Sequence, residues 1–164
     1  MGKFVRILAA IIIVALVVLA PRDTAAAITP EEAEKFVNDF YGDLAGDDLA
    51  KVMAHFDDTV EYYTSGKKER DFIANEFGQY FTFYPVRSFS VSAFKLKPSS
   101  TPDRVTVNFD LRSFLRNPDS DRTSSGRAHV DWDLVKRDGV LKIARFAGTA
   151  ADTSPSPSPP KPKR

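Results

Sequence analysis

Two stretches late in the chain alternate with a period of two. In the first, Val105, Val107, Phe109 and Leu111 share one parity, and Arg104, Thr106, Asn108, Asp110 and Arg112 share the other. In the second, Ala128, Val130, Trp132 and Leu134 alternate with Arg127, His129, Asp131 and Asp133. Successive side chains of a strand point to opposite faces, so each run predicts a strand with one buried and one solvated side. The segment between them, with Asn117, Pro118, Asp119, Ser120, Asp121, Ser124, Ser125 and Gly126, carries turn chemistry, which makes the pair a long antiparallel hairpin. Upstream, Val86 to Leu96 sets Ser88, Ser90 and Ser92 against Phe89, Val91 and Ala93, a further strand. Downstream, Asp138-Gly139 predicts a tight hairpin turn, and Val140 to Phe146 a last strand.

The first half of the chain follows the helical period instead. Thr29-Pro30-Glu31-Glu32 combines a capping threonine, a proline suited to the first helical position and a glutamate that completes a capping box. Ala33, Phe36, Val37, Phe40, Tyr41 and Leu44 then recur at three and four residues as one apolar stripe. Gly46 ends that helix. Asp47 or Asp48 caps a shorter one that turns Leu49, Val52, Met53 and Phe56 inward. Thr59 to Tyr63 reads as a short strand, Ser65-Gly66 as a break, and about Lys67 to Tyr80 as a third helix carrying Phe72, Ile73, Phe77 and Tyr80 on one side. Phe81, Phe83 and Tyr84 lead to a turn at Pro85. Helices fall first and antiparallel strands last, which predicts an α+β domain.

The two ends change the picture. Lys3 and Arg6 precede an unbroken apolar run from Ile7 to Ala20, then Pro21 and the small residues Ala25-Ala26-Ala27. That layout predicts a signal peptide over residues 1–27, with a periplasmic or secreted mature chain and no stable membrane span after cleavage. The run is shorter than the roughly 20 residues a spanning helix needs, so a retained anchor is the lesser alternative. From Ser154 onward the chain alternates Ser and Pro and ends in Lys and Arg, so residues 151–164 are expected to be a disordered, basic tail. The domain between, residues 28–150, carries more acidic than basic residues, although the whole chain is at +1. That balance argues against nucleic acid as a partner. With no cysteine, disulfides, cysteine–zinc sites and thiol nucleophiles are all excluded. The two histidines, His55 and His129, lie far apart without metal-ligand spacing, so no metal or other cofactor is expected.

Ala45-Gly46-Asp47-Asp48-Leu49, then Phe56-Asp57-Asp58-Thr59-Val60-Glu61-Tyr62-Tyr63, then Asp138-Gly139-Val140-Leu141-Lys142-Ile143-Ala144 resemble, in order and spacing, the nuclear transport factor 2-like superfamily, which includes ketosteroid isomerases and SnoaL-like polyketide cyclases. The resemblance covers Thr29 to Thr149. It implies three N-terminal helices packed on a curved, mostly antiparallel sheet that forms a cone-shaped pocket, and homodimers through the sheet face. It also implies that an isomerase of this type would place an aspartate base just after Val60-Glu61, where this chain has Tyr62. A phenol with an ordinary pKa of about 10 is a poor base at neutral pH. His129, Asp110, Asp131 and Asp133 have the parity opposite to the apolar stripe and are expected outside the cone, as is Glu61 relative to Tyr62. His55 has no evident partner. Lys67, Lys68 and Arg70 are expected to be a solvated start to the third helix.

The function expected from these residues is a non-catalytic binding module that holds a small apolar ligand among Phe40, Tyr62, Phe77, Tyr80, Phe81, Phe109 and Trp132. A SnoaL-like enzyme doing acid–base chemistry in the cone is the alternative.

Overall fold

The structure is a computed structural model that describes residues 27–152. The expectations for the leader and the tail fall outside that range, apart from residues 27 and 151–152.

Helix α1 (Pro30–Ala45) starts as its capping residues predict: Thr29 Oγ1 accepts from the Glu32 amide at 3.1 Å, with Pro30 in the first turn. It buries Ala33, Val37, Phe40, Tyr41 and Leu44. Helix α2 (Leu49–Ala54) is capped by Asp48, whose carboxylate accepts from the amides of Ala50 and Lys51 at 3.0 and 3.2 Å. The remaining elements are β1 (Phe56–Tyr62), β2 (Lys67–Glu69), α3 (Arg70–Phe83), β3 (Val86–Pro98), β4 (Arg104–Asn117), β5 (Arg122–Arg137) and β6 (Val140–Asp152). The six strands form one sheet in the order β2-β1-β6-β5-β4-β3. Every pairing is antiparallel except β1 on β6, so the first strand of the chain lies parallel to the last.

The core sits between the helices and one face of this sheet. Val105, Val107, Phe109, Val130, Trp132 and Leu134 are all buried, on the parity that their alternation predicts. Pairing of Val107 with Trp132 and of Phe109 with Val130 sets the hairpin register so that these residues share a face. Register shifts interrupt β1–β6, β3–β4 and β5–β6, and such bulges bend a sheet. The result is the curved, open α+β architecture expected for a cone.

The structure departs from the sequence reading in several places. Lys67–Glu69 is not the start of α3 but a three-residue strand paired with Thr59–Glu61. Lys68 therefore lies over the Phe72 ring, 4.7 Å from its centroid, and Arg70 is no idle cap. Its guanidinium pairs with Asp58 at 2.7 Å and donates to the Phe56 carbonyl at 3.0 Å. Strand β1 starts at Phe56 rather than Thr59, and β6 runs on to Asp152. Ala93 does not continue the inward parity of β3. It takes φ +54° in the bulge between Ser92 and Lys95, after which Phe94 and Leu96 pack on the core.

Arg87 is the one charged side chain in the interior among the described residues. It donates to the carbonyls of Leu44 at 2.8 Å, Tyr84 at 2.6 Å and Gly46, and its guanidinium lies 3.9 Å from the Phe81 ring centroid. The last carbonyls of a helix have no intrahelical donor. Arg87 supplies donors at the end of α1 and fixes that helix to β3.

Candidate functional site

The mouth of the fold opens between α1, α3 and the free end of β6, where β1 stops at Tyr62 and β6 continues alone on that side. Here lies a cavity of about 520 Å³, the cone interior. Its wall is built from Tyr41 and Leu44 of α1, Glu76, Phe77 and Tyr80 of α3, Phe89 of β3, Leu111 of β4, Ala128, Val130 and Trp132 of β5, and Phe146 of β6. Tyr62 and Tyr63 stand at the end of β1, so four of the five tyrosines border it.

The aromatic floor is ordered. Trp132 is fully buried and stacks on Phe146 at 4.9 Å and on Tyr41 at 5.7 Å, while Phe40 and Phe109 meet it edge-on at 5.0 and 5.1 Å. Its indole N–H is buried without a hydrogen-bond partner among the described residues. Of the expected ligand-binding set, Tyr62, Phe77, Tyr80 and Trp132 line the cone. Phe40 is packed behind Trp132, and Phe81 lies beneath Arg87 instead. Phe109 is buried edge-on against Trp132 and does not line this cavity.

Tyr41, Tyr63, Glu76 and Arg127 also line the cone, although none belongs to the expected ligand-binding set. Glu76 had a visible signal: it lies four residues before Tyr80 and three after Ile73, hence beside the inward stripe of α3. Among the described residues Glu76 is the single carboxylate lining the cone, and no imidazole lines it.

Burial holds the phenols neutral. It raises the Tyr62 pKa well above the ordinary value, with further contributions from Tyr63 and the Glu76 carboxylate. Tyr41 is raised by burial and then by Tyr63 and Tyr80. Tyr63 is raised by burial. Tyr80 is pushed up to about 12, mainly by burial, against the opposing charge of Arg87. The cone is therefore lined by neutral phenols, with Glu76 its one carboxylate among the described residues.

The opposite face of the sheet carries the titratable residues, as their parity predicts. Asp131 and Asp133 converge on Arg145, with Asp133 at 3.0 Å from Nε. Thr106 donates to Asp133 at 2.7 Å, and Asn108 donates to Asp131. Burial works against ionisation of Asp133, but the Arg145 and Thr106 hydrogen bonds prevail and hold its pKa below the ordinary value. His129 Nδ1 lies 2.5 Å from Asp110 Oδ1 in an open hollow of about 600 Å³, with the histidine side chain 67% exposed. His55 is not partnerless. Its Nε2 meets Asp43 at 2.8 Å, and its ring packs edge-on against Phe36 and Phe40. Among the described residues no group of three or more His, Asp or Glu side chains is placed to hold a metal ion.

No family profile matches the chain, and no curated protein sequence does. Solved structures do match its fold. A candidate scytalone dehydratase from Novosphingobium aromaticivorans aligns at TM-score 0.67 and 17% identity over 73% of this chain and 82% of that one. A hexachlorocyclohexane dehydrochlorinase, LinA-type3, from Novosphingobium barchaimii aligns at 0.62 and 15% over 78% and 95%. A nuclear transport factor 2-like superfamily protein from Salmonella enterica serovar Typhimurium aligns at 0.66 and 14% over 76% and 92%. The chain has the nuclear transport factor 2-like cone fold. Two of these neighbours are named as enzymes and one only by its superfamily, and a shared fold does not by itself assign a function.

Proposed function

We propose that the protein is an exported, non-catalytic binding module whose cone holds a small, largely apolar molecule. The observation that carries this reading is the lining of the cone: an aromatic wall with neutral phenols, whose one carboxylate among the described residues, Glu76, is exposed. Ligand sites are mostly apolar cavities with a few placed polar groups, and a volume near 520 Å³ suits a molecule of two or three fused rings. Export rests on the leader. Ile28 belongs to the buried core and Thr29 caps α1, so cleavage after Ala27 leaves the folded domain whole. Intact-mass measurement of the exported protein is expected to give a chain that starts at Ile28; a mass that includes the leader overturns this part.

Binding is tested with N-phenyl-1-naphthylamine, a neutral probe that brightens in apolar cavities. Trp132 is the only tryptophan and borders the cone, so energy transfer from it to the probe reports occupancy of this cavity. Saturable brightening with transfer, lost in Ala128→Trp, is expected; absence of transfer overturns the reading. The enzyme alternative has one observation in its favour, the presence of Glu76 in the cone. Turnover of steroid or polyketide-like ketones that disappears in Glu76→Gln would establish it.

A further inference from the structure

We infer that the uncovered face of the sheet, toward the turn of the β4–β5 hairpin, docks on a membrane surface rich in anionic headgroups, with Arg112, Arg116 and Arg127 on the phosphates and Phe114 and Val86 in the interface. The cone plays no part in it.

The helices cover one face of the sheet, and the other carries the polar parity of the long strands. The two halves of that second face differ in charge. Toward the start of β4 the charges are matched: Arg145 holds Asp131 and Asp133, and His129 meets Asp110. At the next pair on this face the matching stops, because Arg112 lies directly opposite Arg127. Phe114 then lies opposite Ser125, and Arg116 opposite Thr123. Strand β3 adds Ser90, Ser88 and Val86 beside Arg112, Phe114 and Arg116. All of these residues are exposed, Phe114 at 43% and Val86 at 46%. Arg112 and Arg116 make no ion pair with any residue from 27 to 151. Like charges directly opposite on neighbouring strands cost stability, and an anion between them relieves that cost. The guanidinium fork suits a phosphate group in particular.

The residues after β6 add to this charge. Thr153 to Arg164 include Lys161, Lys163 and Arg164 and no acid. They follow Asp152, which is paired in the ladder with Arg127, so the basic segment leaves the sheet beside the arginines.

Charge alone fits any polyanion. Phe114 and Val86 favour a membrane, because an interface takes up exposed apolar side chains while its headgroups meet the cations around them. A nucleic acid would leave Val86 without a partner. A second copy would bring the same arginines and no acidic patch to match them.

The test is co-sedimentation of the full-length mature protein with vesicles of phosphatidylcholine alone or with about 30% phosphatidylglycerol, on which each basic residue at the surface contributes about fivefold to binding. Binding to the anionic vesicles alone, lost as salt rises from about 0.1 M to about 0.5 M, is expected. Arg112→Gln/Arg116→Gln/Arg127→Gln should weaken it about a hundredfold, and the matching triple lysine variant far less. Phe114→Ser should weaken it about fivefold. Lys161→Gln/Lys163→Gln/Arg164→Gln should weaken it as well, without abolishing it. The sheet positions are exposed, so each variant should keep its circular dichroism spectrum. Equal binding to both vesicle types overturns the proposal. So does binding that the arginine variants leave unchanged, or that the tail variant alone abolishes. Inorganic polyphosphate or single-stranded DNA that binds as tightly, with no loss in Phe114→Ser, would overturn it in favour of a soluble polyanion. A dimer in sedimentation velocity that Arg112→Gln dissolves would overturn it in favour of a second copy.

Discussion

Arg87 shows how much one side chain can hold. Its side chain is 1% exposed, and it joins the end of α1, the end of α3 and strand β3 through three carbonyls. The ion pair it makes with Asp47 is 3.5 Å long, and Asp47 is 96% exposed, so the carboxylate contributes little. Arg87→Ala should then cost about 3 kcal/mol, because three carbonyls, that of buried Leu44 among them, lose their donor and the packing on Phe81 is lost. Arg87→Lys should not restore it, since an ammonium cannot reproduce the fork geometry. Asp47→Ala should change stability by less than about 0.5 kcal/mol. Urea melts of the three variants check both statements; equal losses from Arg87→Ala and Asp47→Ala would mean that the ion pair, not the helix end, is what matters. Trp132 makes the parallel case in the apolar core. Fully buried among four aromatic rings, it should cost about 3–5 kcal/mol when replaced by alanine. A loss under about 1 kcal/mol in the same melts would contradict its place in the packing.

At the level of elements, the turns and bulges decide which residues the sequence could reveal. Asp138 and Gly139 both take positive φ, +50° and +81°, which suits the tight turn that their dipeptide predicts. Ala93, at φ +54°, is the same backbone conformation without any sequence signal for it. Opposite signs follow for two substitutions. Gly139→Ala should destabilise by roughly 1 kcal/mol, and Ala93→Gly should be neutral or stabilise by a few tenths up to about 1 kcal/mol. Thermal melts of the pair that move in the same direction would contradict this account. The long strands and α1 were legible because their apolar residues keep a strict period, from Val105 to Leu111, from Ala128 to Leu134 and from Ala33 to Leu44. Lys67–Glu69 was not, because three residues carry no period, and their strand exists only through pairing with β1. The inward parity of β3 was readable up to Val91 and lost at the bulge. For the cone, Tyr62, Phe77, Tyr80 and Trp132 could be named from their stripes. Tyr41 could not be told from plain core, since an inward helical position does not say whether it meets protein or cavity. Arg87 was hidden because its reason for being buried, the carbonyls at the end of α1, lies 43 residues away in sequence.

For the molecule as a whole, the tyrosine cluster predicts an alkaline limit. A phenol whose pKa is raised by folding keeps its proton longer in the native state than in the unfolded chain. Its contribution is therefore complete below the ordinary value near 10 and drains away as pH climbs past it. The protein should lose stability above pH 10, with the near-ultraviolet phenolate band of the buried tyrosines rising together with loss of the circular dichroism signal. Ionisation of Tyr41 at pH 10 in a chain that remains folded would contradict the burial of that ring. A last consequence follows from the position of β6. It is the final strand made during synthesis, yet it sits third in the sheet, with the β1–β2 ribbon on one side and the β5–β4–β3 meander on the other. Until it is present the two parts have no shared ladder, and β1 must reach a partner some eighty residues downstream. Such long-range closure belongs to slow, all-or-none folding rather than to stepwise assembly from the N-terminus. A nascent chain halted before Val140 should remain protease-sensitive throughout, and the completed chain should acquire resistance in a single kinetic phase.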